Sequence, residues 1–240
     1  MELRKMGDHL FLKGNRMKKG KIRAVFFDFD DTLGNRDQYA YDCYQYVIRS
    51  FTDLQDEMEI EAVVQQCMIW DQKGDTEKTY VRKMLEKEFG ITLPMEDFND
   101  WWIANLYRFC VPYEKSRETL EKLKKDYLLG IITNGTSAAQ RGKLRQSGLE
   151  DLFDPELIIV SGEYGFRKPD PRLFHAACEK AGVRPEECVY VGDLFRRDVL
   201  GAYHAGMTPV WICSLTIRDC RADVLRISRI EELPDILRNL

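Results

Sequence analysis

Ile22-Arg23-Ala24-Val25-Phe26-Phe27-Asp28-Phe29-Asp30-Asp31-Thr32 is the stretch on which the reading of this chain turns. Ile22 to Phe27 is a short β-branched and aromatic run, the signature of a buried strand, and it runs into the acids Asp28, Asp30 and Asp31. Gly34-Asn35 then marks a turn. Beyond it the character changes. Residues 36–111 are strand-poor and helical in period, with Tyr39, Cys43, Tyr46, Val47 and Phe51 spaced along a first helix. A second helical block holds Thr79 to Phe89, closed by Gly90, and a third, Met95 to Phe109, is rich in aromatics. Pro112 is a natural boundary.

After Pro112 helices and strands alternate. Ser116 is expected to cap a helix to about Lys125. Strands are expected at Leu128–Thr133, Leu157–Val160, Cys188–Val191 and Pro209–Ile212. Helices are expected at Ser137–Ser147, Pro171–Ala181 and Asp198–Ala205, each stopped by a glycine. Such alternation means parallel βαβ units with helices on both faces, and the strand at 22–27 belongs with them. The fold class is therefore α/β, a doubly wound parallel sheet with an all-helical insertion. The organisation expected is a flexible basic extension at 1–20, a discontinuous core at 21–35 and 112–240, and a helical insertion at 36–111.

The chain has 240 residues, 44% hydrophobic and 32% charged, enough for a real core in one or two domains. Its 36 basic and 40 acidic residues leave a net charge of −4. That balance argues against nucleic-acid or membrane-surface binding, which needs a positive field. No apolar run approaches the ~18 residues of a transmembrane helix, and the composition excludes collagen-like, disordered and disulfide-scaffold classes. The seven cysteines are odd in number and contain no C-x-x-C pair. They read as reduced thiols packed as small hydrophobes in a cytoplasmic protein. His9, His175 and His204 lack metal spacing, so no zinc site is expected. Gly14 to Lys21 has a superficial phosphate-loop look, but Ile22 stands where Ser or Thr is needed and no strand precedes it. Met17 can serve as an alternative start, since the ordered pattern begins at Ile22.

Ligands of open parallel sheets bind beyond the carboxyl ends of the strands. Four groups meet that rim: Asp28-Phe29-Asp30-Asp31-Thr32, Thr133-Asn134-Gly135, Arg167-Lys168-Pro169-Asp170-Pro171, and Gly192-Asp193 with Asp198 beyond. Singly, each reads as a turn, a cap or a solvated helix face. Jointly, acids, a hydroxyl, an amide and a lysine on one rim suit transfer of a phosphoryl group. Asp28 and Asp30 can approach a hard cation, and Asp193 can complete the oxygen shell that Mg²⁺ prefers. Such acids tolerate one another only around a cation or when partly protonated. Mg²⁺ and Lys168 supply the positive charge that phosphoryl transfer needs, and Thr133 with backbone N–H groups supplies hydrogen bonds.

These four stations, in this order, resemble the haloacid dehalogenase (HAD) superfamily of phosphohydrolases over about 22–35 and 112–240. Gly165-Phe166-Arg167-Lys168-Pro169-Asp170-Pro171 and Val191-Gly192-Asp193 are similar to members that carry a helical cap after the first strand. The resemblance implies a Rossmann-like core with a small all-helical cap at 36–111. It implies that Asp28 is the nucleophile, through an aspartyl-phosphate, and that Asp30 is the acid and then the base. It implies that Thr133 and Asn134 bind the phosphoryl group and that Lys168 neutralises Asp28 and the phosphate. Asp193 would ligate Mg²⁺ with Asp28 and the Asp30 backbone carbonyl, and Asp198 would act from behind, on Lys168 or metal-bound water. One departure is plain: bulky Leu194, Phe195, Arg196 and Arg197 follow Gly192-Asp193, where relatives often have small polar residues.

The expected activity is a Mg²⁺-dependent phosphatase acting on a small phosphorylated metabolite, a sugar phosphate or nucleoside monophosphate. A dehalogenase would lack the second acid, Asp30. A sugar phosphomutase on the same site stays open, as does a non-catalytic protein that binds a phosphorylated ligand. The expected protein is a monomer or homodimer, without nucleic-acid or membrane partners. Trp70, Trp101, Trp102 and Tyr107 are available to touch substrate, although aromatics at helical spacing usually form a helical domain's own core.

Overall fold

A computed structural model describes residues 21–213 and 220–240. The basic extension expected at 1–20 lies outside the described residues. Six strands, β1 (Ala24–Phe27), β2 (Leu128–Thr133), β3 (Ile158–Val160), β4 (Cys188–Gly192), β5 (Thr208–Ile212) and β6 (Leu225–Ile227), form one sheet in the order β3-β2-β1-β4-β5-β6. Every pairing is parallel. Phe27 lies opposite Ile131 on one side and Val191 on the other, so β1 is central.

The strands read as unbroken apolar runs because both faces are covered. Val25, Phe27, Ile131, Val189 and Val191 pack with Leu120 and Leu123 of α5 (Ser116–Leu123) and Leu233 and Leu237 of α9 (Leu233–Arg238). On the other face Phe26, Ile132, Cys188 and Tyr190 meet Leu173, Phe174 and Ala177 of α7 (Pro171–Ala181) and Ala202 of α8 (Leu200–His204). Between β2 and β3 runs α6 (Ser137–Gln146), opened by the Thr136 hydroxyl, which accepts from the Ala139 N–H.

The segment after β1 holds four helices and no strand: α1 (Arg36–Phe51), α2 (Glu57–Asp71), α3 (Lys78–Phe89) and α4 (Phe98–Asn105). Asn35, Asp56 and Asp97 cap the first, second and fourth with their side-chain oxygens. The insert's interior is continuous with the core beneath one sheet face. Its two ends lie side by side: the Asn35 N–H donates to the Val111 carbonyl (2.9 Å), and the Tyr113 N–H donates to Leu33 (2.9 Å).

Three expectations need correction. Ser116 does not cap α5; its hydroxyl donates to the Leu33 carbonyl (2.8 Å) and ties that helix to the loop after β1. In α1 the buried stripe runs through Tyr44 and Ile48, whereas Tyr46 is 46% exposed and stacks on Trp101. The helix expected from Asp198 starts earlier and wider: a π-helical turn over Phe195–Val199 runs directly into α8 at Leu200. The edge strand β6 carries little sequence signal, being three residues long with Arg226 at its centre. No helix among the described residues is long and apolar enough to cross a membrane.

Candidate active site

Strand order reverses at β1, whose neighbours are β2 and β4, and a crevice opens there at the carboxyl ends. A cavity of about 520 Å³ occupies it, lined by Asp28, Asp30, Thr133, Lys168 and Asp193 from the core and by Trp102 among the residues of the insert. All four sequence stations therefore reach one space.

Lys168 is the hub. Its ammonium is buried and lies 2.9 Å from Asp28 Oδ1 and 2.7 Å from Asp198 Oδ1. It also donates to the Tyr190 hydroxyl at 2.8 Å. Burial alone would pull the ammonium down, but Asp198 and Asp28 outweigh it and hold it above the ordinary lysine value. Burial pushes Asp28 up, Lys168 pulls it back, and it settles at about 6. Tyr190 anchors the hub to the sheet, its hydroxyl 2.9 Å from the Ile132 carbonyl.

One carboxylate oxygen each from Asp28, Asp193 and Asp198 lie within 4.8 Å of one another. Burial, and then the charges of Asp198 and Asp28, push Asp193 up to about 8. A cluster under that repulsion suits a hard cation. Asp198 has the least freedom of the three. Asp198 is fully buried and already accepts from Lys168, Tyr190 and the Leu194 N–H, so its oxygens are committed to positioning. Gly192 makes this possible, since a Cβ there would lie 2.5 Å from Asp198 Cβ and Cγ. The bulky residues after Asp193 have an anchor: the Trp211 indole N–H donates to the Asp193 carbonyl (2.8 Å), and Phe195 meets Trp211 edge-on.

Asn134 clamps the Lys168 loop. Its side-chain oxygen accepts from the Lys168 N–H (2.9 Å) and its side-chain nitrogen donates to the Lys168 carbonyl (3.2 Å). Thr133, beside it, is buried against the cavity.

Asp30 faces a different set of partners. The Lys143 ammonium donates to both its oxygens, at 2.9 and 2.7 Å, and the Tyr39 hydroxyl donates to Oδ1. Burial would raise its pKa, but Lys143 and then Arg36 overcome this and leave it below the usual carboxylate range. Sequence reasoning missed Lys143, Tyr39 and Tyr190. A signal existed for Lys143: it shares the buried face of α6 with Gln140 and Leu144, three and one residues away, where a lysine requires a partner.

The insert reaches the site through its turn at 72–74. Lys73 pairs with Asp31 at 3.1 Å and lies 3.9 Å from Asp193 Oδ2, while Asp75 pairs with Arg197. Asp31, at φ 55, also accepts from the Asp37 N–H. Of the four aromatics singled out, Trp102 and Tyr107 line the cavity. Trp70 packs on Phe89, and Trp101 packs among Tyr46, Phe51 and Phe98.

The family model for haloacid dehalogenase-like hydrolases matches residues 25–212. The chain is 32% identical to the glyceraldehyde 3-phosphate phosphatase of Methanothermobacter thermautotrophicus, over 90% of this chain and 100% of that one. It is 29% identical to a pyrimidine 5'-nucleotidase of Escherichia coli, over 78% of this chain and 84% of the relative. Among solved structures, a HAD phosphatase from Thermococcus onnurineus superposes with a TM-score of 0.62 at 28% identity, covering 90% of this chain and 98% of its own. A Bacillus subtilis protein solved bound to magnesium shares the fold, with a TM-score of 0.70 at 23% identity over 91% of this chain and 99% of its own.

Proposed function

The chain belongs to the haloacid dehalogenase-like hydrolases and is a phosphoric monoester hydrolase, and from that premise we propose a Mg²⁺-dependent phosphatase that works through an aspartyl-phosphate on Asp28. The observation that carries this reading is the buried Lys168 ammonium bridging Asp28 and Asp198, with Asp193 alongside, at the floor of one cavity. The helical insert at 36–111 is the cap in this reading.

Asp28 is held by Lys168 with one oxygen, which leaves the other to attack phosphorus. The bond from Asp28 to phosphorus forms as the bond from phosphorus to the ester oxygen breaks. Lys143 keeps Asp30 ionised in the free protein, so Asp30 first takes up a proton from the monoprotonated phosphoryl group of the entering substrate and then passes it to the departing alkoxide. Water then attacks the aspartyl-phosphate, Asp30 takes the water's proton, and Asp28 is released with inorganic phosphate. Lys168 balances charge on Asp28 and the phosphoryl oxygens throughout. Thr133 and the main chain at Asn134 donate to those oxygens, since the Asn134 side chain is engaged with Lys168. Asp28, Asp193 and the Asp30 carbonyl would hold Mg²⁺, and the raised value of Asp193 fits a donor set that expects a cation. When bound, Mg²⁺ supplies positive charge facing the phosphoryl group.

Supporting the substrate class are the phosphatase names of the relatives, glyceraldehyde 3-phosphate phosphatase and pyrimidine 5'-nucleotidase, and a cavity of about 520 Å³, room for a small phosphorylated metabolite. The test is inorganic phosphate release from a panel of phosphorylated metabolites, with Mg²⁺ or with chelator, beside Asp28→Asn. Release should need both the metal and Asp28. Isomerised ester in place of free phosphate would make the protein a mutase, and release unaffected by Asp28→Asn would overturn the assignment of the nucleophile.

A further inference from the structure

The phosphoryl end of the cavity gathers acids around Lys168, whereas its insert wall gathers buried cations. Arg36, from the start of α1, and Lys78, from the start of α3, both line the cavity. Both lean on one acid, Asp71 at the end of α2: Arg36 Nη2 lies 2.7 Å from Asp71 Oδ2, and Lys78 Nζ lies 2.5 Å from Oδ1. The three side chains are 5%, 4% and 1% exposed. Two buried cations thus share one carboxylate. Asp71 has no capacity left, because the Tyr44 hydroxyl and the Gly74 N–H also donate to it.

The other acids on the insert side do not reach this buried pair: Asp31 pairs with Lys73, Asp75 pairs with Arg197, and Glu77 is exposed. Asp30, on the cavity wall, is already held at both oxygens by Lys143. Within this connected set of side chains, Arg36, Lys78 and Lys143 carry three positive charges against the two of Asp71 and Asp30. Arg36 Nη1 is buried and has no hydrogen-bond partner among the described residues. Gly74, at φ +87, closes against the same guanidinium, where a Cβ would lie 2.9 Å from Nη2. Burial, only partly offset by Asp71, leaves Lys78 below the usual lysine range. A buried surplus charge with an unsatisfied donor is costly unless an anion meets it.

We propose that Arg36 and Lys78 form an oxyanion subsite, so that the preferred substrates are phosphate monoesters carrying a second anionic group, a carboxylate or another phosphate, beyond the scissile ester. This rests on the phosphatase reading and narrows it. A ligand bound at both ends would bring its phosphoryl group to Asp28 and Lys168 and set its second anion against the insert's cations. Trp102, over which the Lys78 ammonium sits at 5.2 Å from the ring centroid, holds that cation in place from the side.

The test compares matched substrates: 3-phosphoglycerate against glycerol 3-phosphate for a carboxylate, and fructose 1,6-bisphosphate against fructose 6-phosphate for a second phosphate. The anionic member of at least one pair should have a kcat/KM higher by about tenfold or more, and the pair that shows it identifies the anion. Lys78→Gln should collapse that ratio mainly through KM. The wild-type ratio needs no variant, so a poorly folding Lys78→Gln leaves the test intact. Calorimetric binding of the same pairs to Asp28→Asn protein gives the preference without turnover. Equal or inverted preference in both pairs, by kinetics and by binding, would overturn the subsite while leaving the phosphatase standing. Absence of phosphate release from every compound with a clear binding preference for the anionic member would overturn the phosphatase and leave the subsite standing.

Discussion

Replacing Lys143 by methionine removes a charge while nearly keeping shape, and the structure sets what should follow. The ammonium donates to Asp30 at 2.9 and 2.7 Å from a buried position, so it holds both oxygens of the proposed acid and base. Removing one partner of a buried pair costs about 3–5 kcal/mol. The Asp30 side chain keeps 23% exposure, so water recovers part of that, and about 2 kcal/mol is the lower figure to expect. Felt in the transition state, this is a rate loss of about 30-fold. The loss should depend on the leaving group. An alkyl phosphate such as glycerol 3-phosphate needs a proton on the departing oxygen, whereas p-nitrophenolate leaves with little help. Losing Lys143 also lets the Asp30 pKa rise, so the loss reads the aim of the carboxyl rather than its charge: Lys143→Met should lower kcat by about 30-fold or more on the alkyl ester and by less than about fivefold on p-nitrophenyl phosphate. Equal losses on both substrates would show that Lys143 supports the fold rather than the proton transfer. No loss on either would show that Asp30 needs no such partner.

Further outcomes can be checked with the same protein. Asp193 at about 8 and Asp28 at about 6 lie above their ordinary 3.8 in the metal-free fold, so their contribution to stability is full below about pH 4 and is lost as pH rises toward 8. Because Mg²⁺ needs these acids ionised, the rise in Tm on replacing EDTA with Mg²⁺ should be larger at pH 8 than at pH 6, and a pH-independent rise would count against the site. Gly192→Ala places a Cβ 2.5 Å from the buried Asp198 side chain. It should cost about 1–3 kcal/mol by urea unfolding and depress kcat together with it, whereas a stable, fully active variant would show that Asp198 moves freely. Lys73→Ala removes a cation that is 49% exposed. Stability should change by no more than about 0.5 kcal/mol, with the effect confined to kinetics, and a larger shift in Tm would mean that the turn at 72–74 is structural.

The sheet was legible because buried parallel strands must be continuous apolar runs, as Val25-Phe26-Phe27 and Cys188-Val189-Tyr190-Val191 are. The strand-end acids were legible for a related reason: Asp28 and Asp193 follow those runs directly, so topology alone brings them together. Lys143 was legible only as a buried lysine that needs a partner; which acid it meets depends on α6 packing near one 113 positions earlier in the chain. The charge surplus at Arg36 and Lys78 was equally hidden, because three residues from three helices define it only after folding. Trp102 and Trp101 are neighbours in a helix of eight residues, too short for periodicity to say which one turns toward the cavity. Asn134 shows the converse: its place was readable, but its amide serves the Lys168 main chain.

The contact between Tyr39 and Asp30 joins the first helix of the insert to the group proposed to handle the proton. Asp30 is also bridged to Gly34, two residues before the insert begins at Arg36. Placement of the insert and aim of that carboxylate are thus geared to each other across a few residues. A molecule that occupies the cavity without seating the helices correctly would meet a misaligned proton donor. Discrimination would then have a second stage after capture: molecules of the right charge but the wrong shape bind, stall and leave.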